Sequence, residues 1–353
     1  MEWLAGNRLR GTTAERPTAS LQSPSVGGWV ELARTTLGSA GDVIDVTSLS
    51  DKRYYMILMD YRDTGGQINT NMTINNDTGN NYARRWSTDG GTDSTQTSRD
   101  SLNHGHYTAN DGYAVAYLPN LSTKEKLLMS HSVANNSGTG AASVVSRNEF
   151  VGKWANTSNA VSSIKHTNSD TGSFTSGSEC IVLGYDPDDT HTTNFWEELA
   201  DTTFTSSGVS AQTFTAKKYI WCQFWFTSDA SGNGQHFQLG DTGGIDTGST
   251  YARRFSINGG ADSTSTSQSK IYFAPQTGAV THFVNMFMVN NASNEKLSII
   301  QATTSNGSGA GNASQRRETV GKWVETTNQC DRITIATDAG TFTGGQLKVW
   351  GSD

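Results

Sequence analysis

The apolar positions of this chain fall in short stretches of two kinds. Ile68-Asn69-Thr70-Asn71-Met72-Thr73-Ile74 alternates apolar and polar without a break, the period of a strand with one face in a core and one in water. Tyr54-Tyr55-Met56-Ile57-Leu58-Met59 is apolar throughout, which predicts a central strand covered on both faces. Stretches of similar length predict further strands at Trp29–Arg34, Val43–Val46, Tyr82–Ser87, Tyr113–Leu118, Lys126–Ser132, Glu149–Ala155, Ile164–Thr167 and Glu179–Tyr185. The two opening segments extend as Gln67–Ile74 and Arg53–Asp60. A second set runs Trp196–Thr203, Tyr219–Thr227, His236–Leu239, Tyr251–Ile257, His282–Asn290, Leu297–Thr303, Glu318–Val324, Arg332–Thr337 and Gln346–Gly351. Gly, Asn, Asp and Ser separate them, as turns require. No segment joins helical period to helix caps and sufficient length.

The second set echoes the first. Tyr82-Ala83-Arg84-Arg85-Trp86-Ser87, followed by Gly90-Gly91 and Asp93-Ser94, returns as Tyr251-Ala252-Arg253-Arg254-Phe255-Ser256, Gly259-Gly260 and Asp262-Ser263. Gly152-Lys153-Trp154 returns at Gly321-Lys322-Trp323, and Glu125-Lys126-Leu127 at Glu295-Lys296-Leu297. A repeat this long exceeds the roughly 20–50 residues of solenoid units, so each copy should carry its own core. The expected organisation is an N-terminal arm over 1–26, a β-sandwich domain over 27–186, a linker over 187–194 and a second sandwich over 195–353. The fold class is all-β: two tandem jelly-roll-like sandwiches from an internal duplication, with an extended arm. Short strands, with longer loops near 100–112 and 135–147, favour a jelly roll over a tight barrel. A galectin-like or concanavalin-like sandwich is the near alternative.

Composition sharpens this picture. Hydrophobic residues make up 34% of the 353, and 37 glycines stand against 5 prolines, which suits thin sandwiches rich in turns. The net charge of −7 argues against general nucleic-acid binding, which needs clustered Lys and Arg. No window holds the roughly twenty apolar residues of a membrane-spanning helix, and the first residues lack the order of a signal peptide. Cys180, Cys222 and Cys330 read as free, buried thiols of a chain made in a reducing cytoplasm.

Several constellations invite a chemical reading. Asp77-Thr78-Gly79 and Ile245-Asp246-Thr247-Gly248 look like the paired turns of an aspartic protease, whose two carboxylates share a proton. The same tripeptide recurs at Asp63, Asp170 and Asp241 without repeat equivalence, so the turn reading is preferred and no catalytic residue is assigned. In a strand, Arg84 and Arg85 point to opposite faces, as do Arg253 and Arg254. One of each pair needs a partner at the core or a covered edge, and Asp93 and Asp262 are placed to form repeat-equivalent structural ion pairs. His104 and His106 form His-x-His without further ligands. Asp186, Asp188 and Asp189 lack the glycine and distal glutamate of a calcium loop. No metal or cofactor is expected. Trp29, Trp154, Trp196 and Trp323 are expected in the core. Trp221 and Trp225 share a strand face and would stack on a sugar ring if exposed.

Gly27-Gly28-Trp29-Val30-Glu31-Leu32, Asn75-Asn76-Asp77-Thr78-Gly79 with Tyr82-Ala83-Arg84-Arg85, Gly152-Lys153-Trp154 and Val182-Leu183-Gly184-Tyr185-Asp186 resemble structural proteins of tailed bacteriophages, marine ones in particular. The resemblance implies a place on the virion and transfers no catalytic residue. The expected function is a non-enzymatic virion component, capsid decoration or shell, that works through assembly interfaces. Its partners would be copies of itself, as a homotrimer, and other virion proteins, with no nucleic acid or membrane. Trp3 and Leu4 would anchor the arm, and Arg8, Arg10 and Arg16 would meet acidic surfaces. The alternative is a carbohydrate-binding attachment or fibre protein whose partners include surface glycans, and an aspartic protease is the remote one.

Overall fold

The apolar run at Tyr54–Tyr61 forms a strand inside an eight-stranded antiparallel sheet, and its two faces feed two different cores. Tyr55, Ile57, Met59 and Tyr61 enter one core; Met56 and Leu58 enter another. The computed structural model describes residues 28–63, 65–105, 110–135, 138–187, 194–229, 231, 233–274 and 279–353, and none of these is helical. They form an all-β structure of several sheets.

In the first half the large sheet runs, in spatial order, Val30–Thr36, Glu179–Tyr185, Tyr54–Tyr61, Gly112–Pro119, Lys126–Ala134, Ser146–Trp154, Tyr82–Thr88 and Ser94–Arg99. A smaller sheet of Val43–Val46, Ile164–Asn168, Thr70–Ile74 and Leu102–Asn103 covers one of its faces. Met72, Ile74 and Ile164 meet Ile57 and Met59 between them, which is the core of a sandwich. The second half has the same order: Glu197–Thr203, Phe342–Ser352, Tyr219–Ser228, Thr281–Val289, Lys296–Thr304, Gln315–Trp323, Tyr251–Ile257 and Ser263–Gln268. Its smaller sheet is built from Val209–Thr213, Arg332–Ala336, Gln235–Asp241 and Gly244–Ile245, with Ile271–Ala274 also pairing to Gln235–Asp241. Phe224, Phe237, Val284 and Ile335 lie in the core between its two sheets.

A third core joins the halves. Met56, Leu58, Tyr113, Val115 and Val133 of the first large sheet pack with Trp221, Phe287, Leu297, Ile299 and Val320 of the second. Large sheet thus faces large sheet, with the smaller sheets outside. This arrangement explains the continuous apolar texture of Tyr54–Met59, since alternate residues serve different cores.

Several strands start or end away from their sequence-based bounds, and others are additional. Gln67–Ile74 is a continuous strand only over Thr70–Ile74, with an isolated bridge at Ile68. Val209–Thr213, Ser94–Arg99 and Ser263–Gln268 are strands without an apolar period. The last two are outer strands whose side chains are largely exposed, so hydrophobic patterning carries no trace of them. Trp154, Trp196 and Trp323 are buried and Trp29 is partly buried. Trp196 serves the core between the halves rather than a sandwich interior. All three cysteines are free and buried, and burial pushes their thiols up.

Candidate functional site

The matched motifs of the two halves converge on one local structure. Asp77 caps its turn by accepting from the Gly79 amide at 2.9 Å, and the Trp154 indole donates to its other oxygen at 2.7 Å. Asp246 accepts from Gly248 at 2.8 Å and from the Trp323 indole at 2.8 Å. Tyr82 and Tyr251 donate to the backbone oxygens of Asp77 and Asp246, each at 3.0 Å. Lys126 and Lys296 lie against the Trp154 and Trp323 rings, 5.4 and 5.9 Å from the centroids, and donate to backbone carbonyls. Burial pushes both carboxyls up, but the indole and turn hydrogen bonds outweigh it and hold them below the usual carboxylate range. Each Asp-Thr-Gly carboxylate is therefore committed to the tryptophan of its own half.

The arginine pairs divide their work differently from the sequence reading. Arg84 and Arg253 face partly buried surroundings, yet neither meets Asp93 or Asp262. Arg84 donates to Gln96, and Arg253 donates to the Tyr272 carbonyl at 2.9 Å while lying over that ring. Burial, with Arg99 nearby, pushes Arg84 down to about 10, and burial does the same to Arg253. Arg85 pairs with Asp93 at 3.3 Å, both side chains more than half exposed. Arg254 crosses instead to the first half, reaching Asp89 at 3.1 Å and the Val145 carbonyl at 2.9 Å. Asp262 takes Arg147 of the first half at 2.7 Å. The inter-half partners come from turns and strand ends far away in sequence, which a local pattern cannot reveal.

His104 is buried with its Nδ1 2.9 Å from Nε2 of His166. Burial and that neighbour push His104 down, and burial pushes His166 down to about 3. His106, Asp188 and Asp189 lie outside the described residues, as do Trp3, Leu4, Arg8, Arg10 and Arg16. Among the described residues no group of three or more His, Cys, Asp or Glu side chains could hold a metal ion, and no helix is long and apolar enough to cross a membrane. Trp221 stacks with Phe287 at 5.3 Å inside the inter-half core, whereas Trp225 is half exposed. The two do not form an open aromatic pair.

An open groove lies on the first half. It measures about 920 Å³ and runs over the uncovered part of that half's large sheet, with Tyr54, Tyr117, Leu127, Met129 and Val151 on its apolar floor. Trp29 and Tyr54 flank Tyr185 at one end, with ring centroids at 5.7 and 6.3 Å. Arg85 with Asp93, and Lys153 with Glu125 at 3.0 Å, supply charge at the rim. It has an apolar floor without a nucleophile-and-base arrangement, which suits burial against another surface. The sequence contained these residues, but strand period alone does not say which part of a wide sheet is left uncovered.

No protein family matches the chain, and no curated protein does. Among solved structures, the chain is similar to domains LG4-5 of the mouse laminin alpha1 chain at 9% identity, covering 92% of this chain and 91% of that one, with a TM-score of 0.19. It is similar to PBSX exported protein XepA at 9% identity over 91% and 86%, TM-score 0.18. Neisserial surface protein A matches at 7% identity over 78% and 99%, TM-score 0.13. None of these likenesses bears on the reading below.

Proposed function

We propose that this chain is a virion structural protein of a tailed bacteriophage, a capsid decoration or shell component that acts through assembly interfaces. The observation that carries the reading is the open apolar groove on the first large sheet, beside a sheet face already used to join the halves. Exposed apolar area of this kind marks an interaction surface. The sequence resemblance supplies the setting. The matched strand order of the halves supports two tandem jelly-roll-type sandwiches that arose by duplication. A homotrimer would then present six similar domains, which suits a hexagonal capsid site. In this reading residues 1–26 form a docking arm toward a neighbouring virion protein.

Mass spectrometry of purified particles tests the proposal. The chain is expected at hundreds of copies per particle for shell or decoration. Its absence from particles would end the reading. A second reading, a glycan-binding attachment protein, draws on the half-exposed Trp225 and on the aromatic end of the groove. Glycan-array binding that Trp225→Ala or Tyr54→Ala abolishes would favour it.

A further inference from the structure

The exposed apolar residues form a pattern. Of the eight large ones exposed among the described residues, all but Val43 occupy positions equivalent to residues in the contact between the halves. Tyr54, Leu127, Met129 and Val151 are 42 to 56% exposed, while their equivalents Tyr219, Leu297, Ile299 and Val320 are 0 to 6% exposed. Strand register and the matched motifs fix the equivalence. Tyr54 stands opposite Pro119 and Tyr219 opposite Val289, each just before a matched Asn. Leu127 and Leu297 follow the Glu-Lys pairs, and Val151 and Val320 precede Gly-Lys-Trp.

The other side of the contact behaves alike. In the first half Asp60 and Tyr113 are opposed across strands, and both are buried where the halves meet. Tyr113 lies 6.2 Å from Tyr219, ring to ring, and Asp60 accepts from Asn291 at 2.9 Å. Their equivalents in the second half, Trp225 and Phe283, are likewise opposed, but each is 46% exposed. Leu121, also exposed, stands where Asn291 does. The polar pair Asn291–Asp60 within the chain thus corresponds to an apolar pair, Leu121 and Trp225, on free surfaces.

Charges and loops follow the same rule. Arg147 and Asp262 form a buried pair, and their equivalents Arg316 and Asp93 are 62 and 51% exposed. Lys322 donates to the Gly138 carbonyl at 3.0 Å, and Glu295 accepts from the Gly140 amide. Their equivalents Lys153 and Glu125 stand on an open rim. Gly307 and Gly309 repeat the positive φ angles of Gly138 and Gly140, 115° and 79° against 114° and 83°. The contact is heterologous, because it uses different parts of the two large-sheet faces, the Asp60 and Tyr113 end of the first against the Tyr219, Leu297, Ile299 and Val320 part of the second. A heterologous contact leaves one unused face and one unused end.

We propose that a second copy of this chain fills the groove, its Trp225 and Phe283 end seated on the Tyr54, Leu127, Met129 and Val151 face, repeating between copies the contact that the halves make within one. The groove is lined by first-half residues alone, so the chain's own second half does not occupy it. The inference rests on the assembly reading only in naming its partner. Purified protein tests it, whereas particle composition tests the virion role, so either can fail alone.

Sedimentation of the purified chain should show concentration-dependent head-to-tail species. Val151→Glu in the groove and Phe283→Glu at the free end should each weaken association at least about tenfold. Mixing the two variants should restore one contact and stop at a 1:1 dimer. Both sites are half exposed, and unchanged thermal melting confirms the fold. Tyr54→Cys mixed with Phe283→Cys should give a disulfide between copies. A chain that stays monomeric up to its solubility limit overturns the proposal. So does wild-type association in both charged variants, or a mixture of Tyr54→Cys and Phe283→Cys chains that forms no disulfide between copies.

Discussion

Arg147 of the first half and Asp262 of the second form an ion pair at 2.7 Å, their side chains only 6 and 2% exposed. Removing one partner of a buried pair leaves the other charge stranded. Arg147 retains Glu149 and Glu318, which cushions the loss. Asp262→Ala is therefore expected to cost about 2–4 kcal/mol in a denaturant titration. Asp93→Ala, at the equivalent position but paired in solvent with Arg85, should cost under about 1 kcal/mol in the isolated chain. Equal costs would refute the inter-half role of Asp262.

The Asp77 and Asp246 turns are expected to be structural. Asp77→Asn keeps the shape but removes the charged acceptor of the Trp154 indole and the Gly79 amide. It should destabilise by about 1–3 kcal/mol and alter tryptophan emission. Both carboxyls are held below their ordinary value, so the stability they add is present above the unfolded value of 3.8 and is lost as pH falls through the folded one. Peptide cleavage at acid pH that Asp77→Asn abolishes would instead restore the protease reading.

Much of the sandwich was legible because burial imposes a period. Tyr54–Met59 read as central, and from Tyr55 onward it is central, since both its faces are covered there. Trp154 and Trp323 read as core from their matched positions. The outer strands Ser94–Arg99 and Ser263–Gln268 were silent because they are held by backbone bonds while their side chains face water. The fate of Asp262 was hidden for another reason. Its partner, Arg147, is 115 positions away, and nothing local distinguishes it from Asp93. The open groove was invisible for a related cause: Leu127 and Leu297 look alike in sequence, and only the stacking of the large sheets buries one and exposes the other.

Deleting residues 1–20 is expected to leave a folded, soluble protein with unchanged melting. The segment holds Trp3, Leu4 and three arginines but no alternation that would tie it to a sheet. Co-expressed with the other virion proteins, the truncated chain should be missing from purified particles. Its presence there at wild-type copy number would contradict a docking role for the arm.

The buried His104–His166 pair predicts how the protein responds to acid. The two rings stand where the second half places Phe273 and Ile335, both buried apolar residues. Burial pushes His166 down to about 3, and burial with His166 nearby pushes His104 down, from an ordinary 6.5. The unfolded chain therefore takes up protons below about 6.5 while the folded chain does not. Stability is full above that value and falls as pH drops, by about 1.4 kcal/mol per pH unit for each ring until the folded chain also titrates. His282, pushed down to about 4 by burial, adds to the slope. Replacing both rings together, His104→Phe with His166→Ile, removes two buried polar groups that pair with each other through one nitrogen each and leave the other nitrogen without a hydrogen-bond partner, a change expected to be neutral or stabilising at pH 7. The double variant should keep at least its neutral-pH stability and show a shallower decline between pH 6.5 and 4.5, the remainder coming from His282, His131 and His236, which burial also pushes down. Denaturant titrations at both ends of that window decide the matter: an unchanged slope would mean that the pair does not control acid sensitivity.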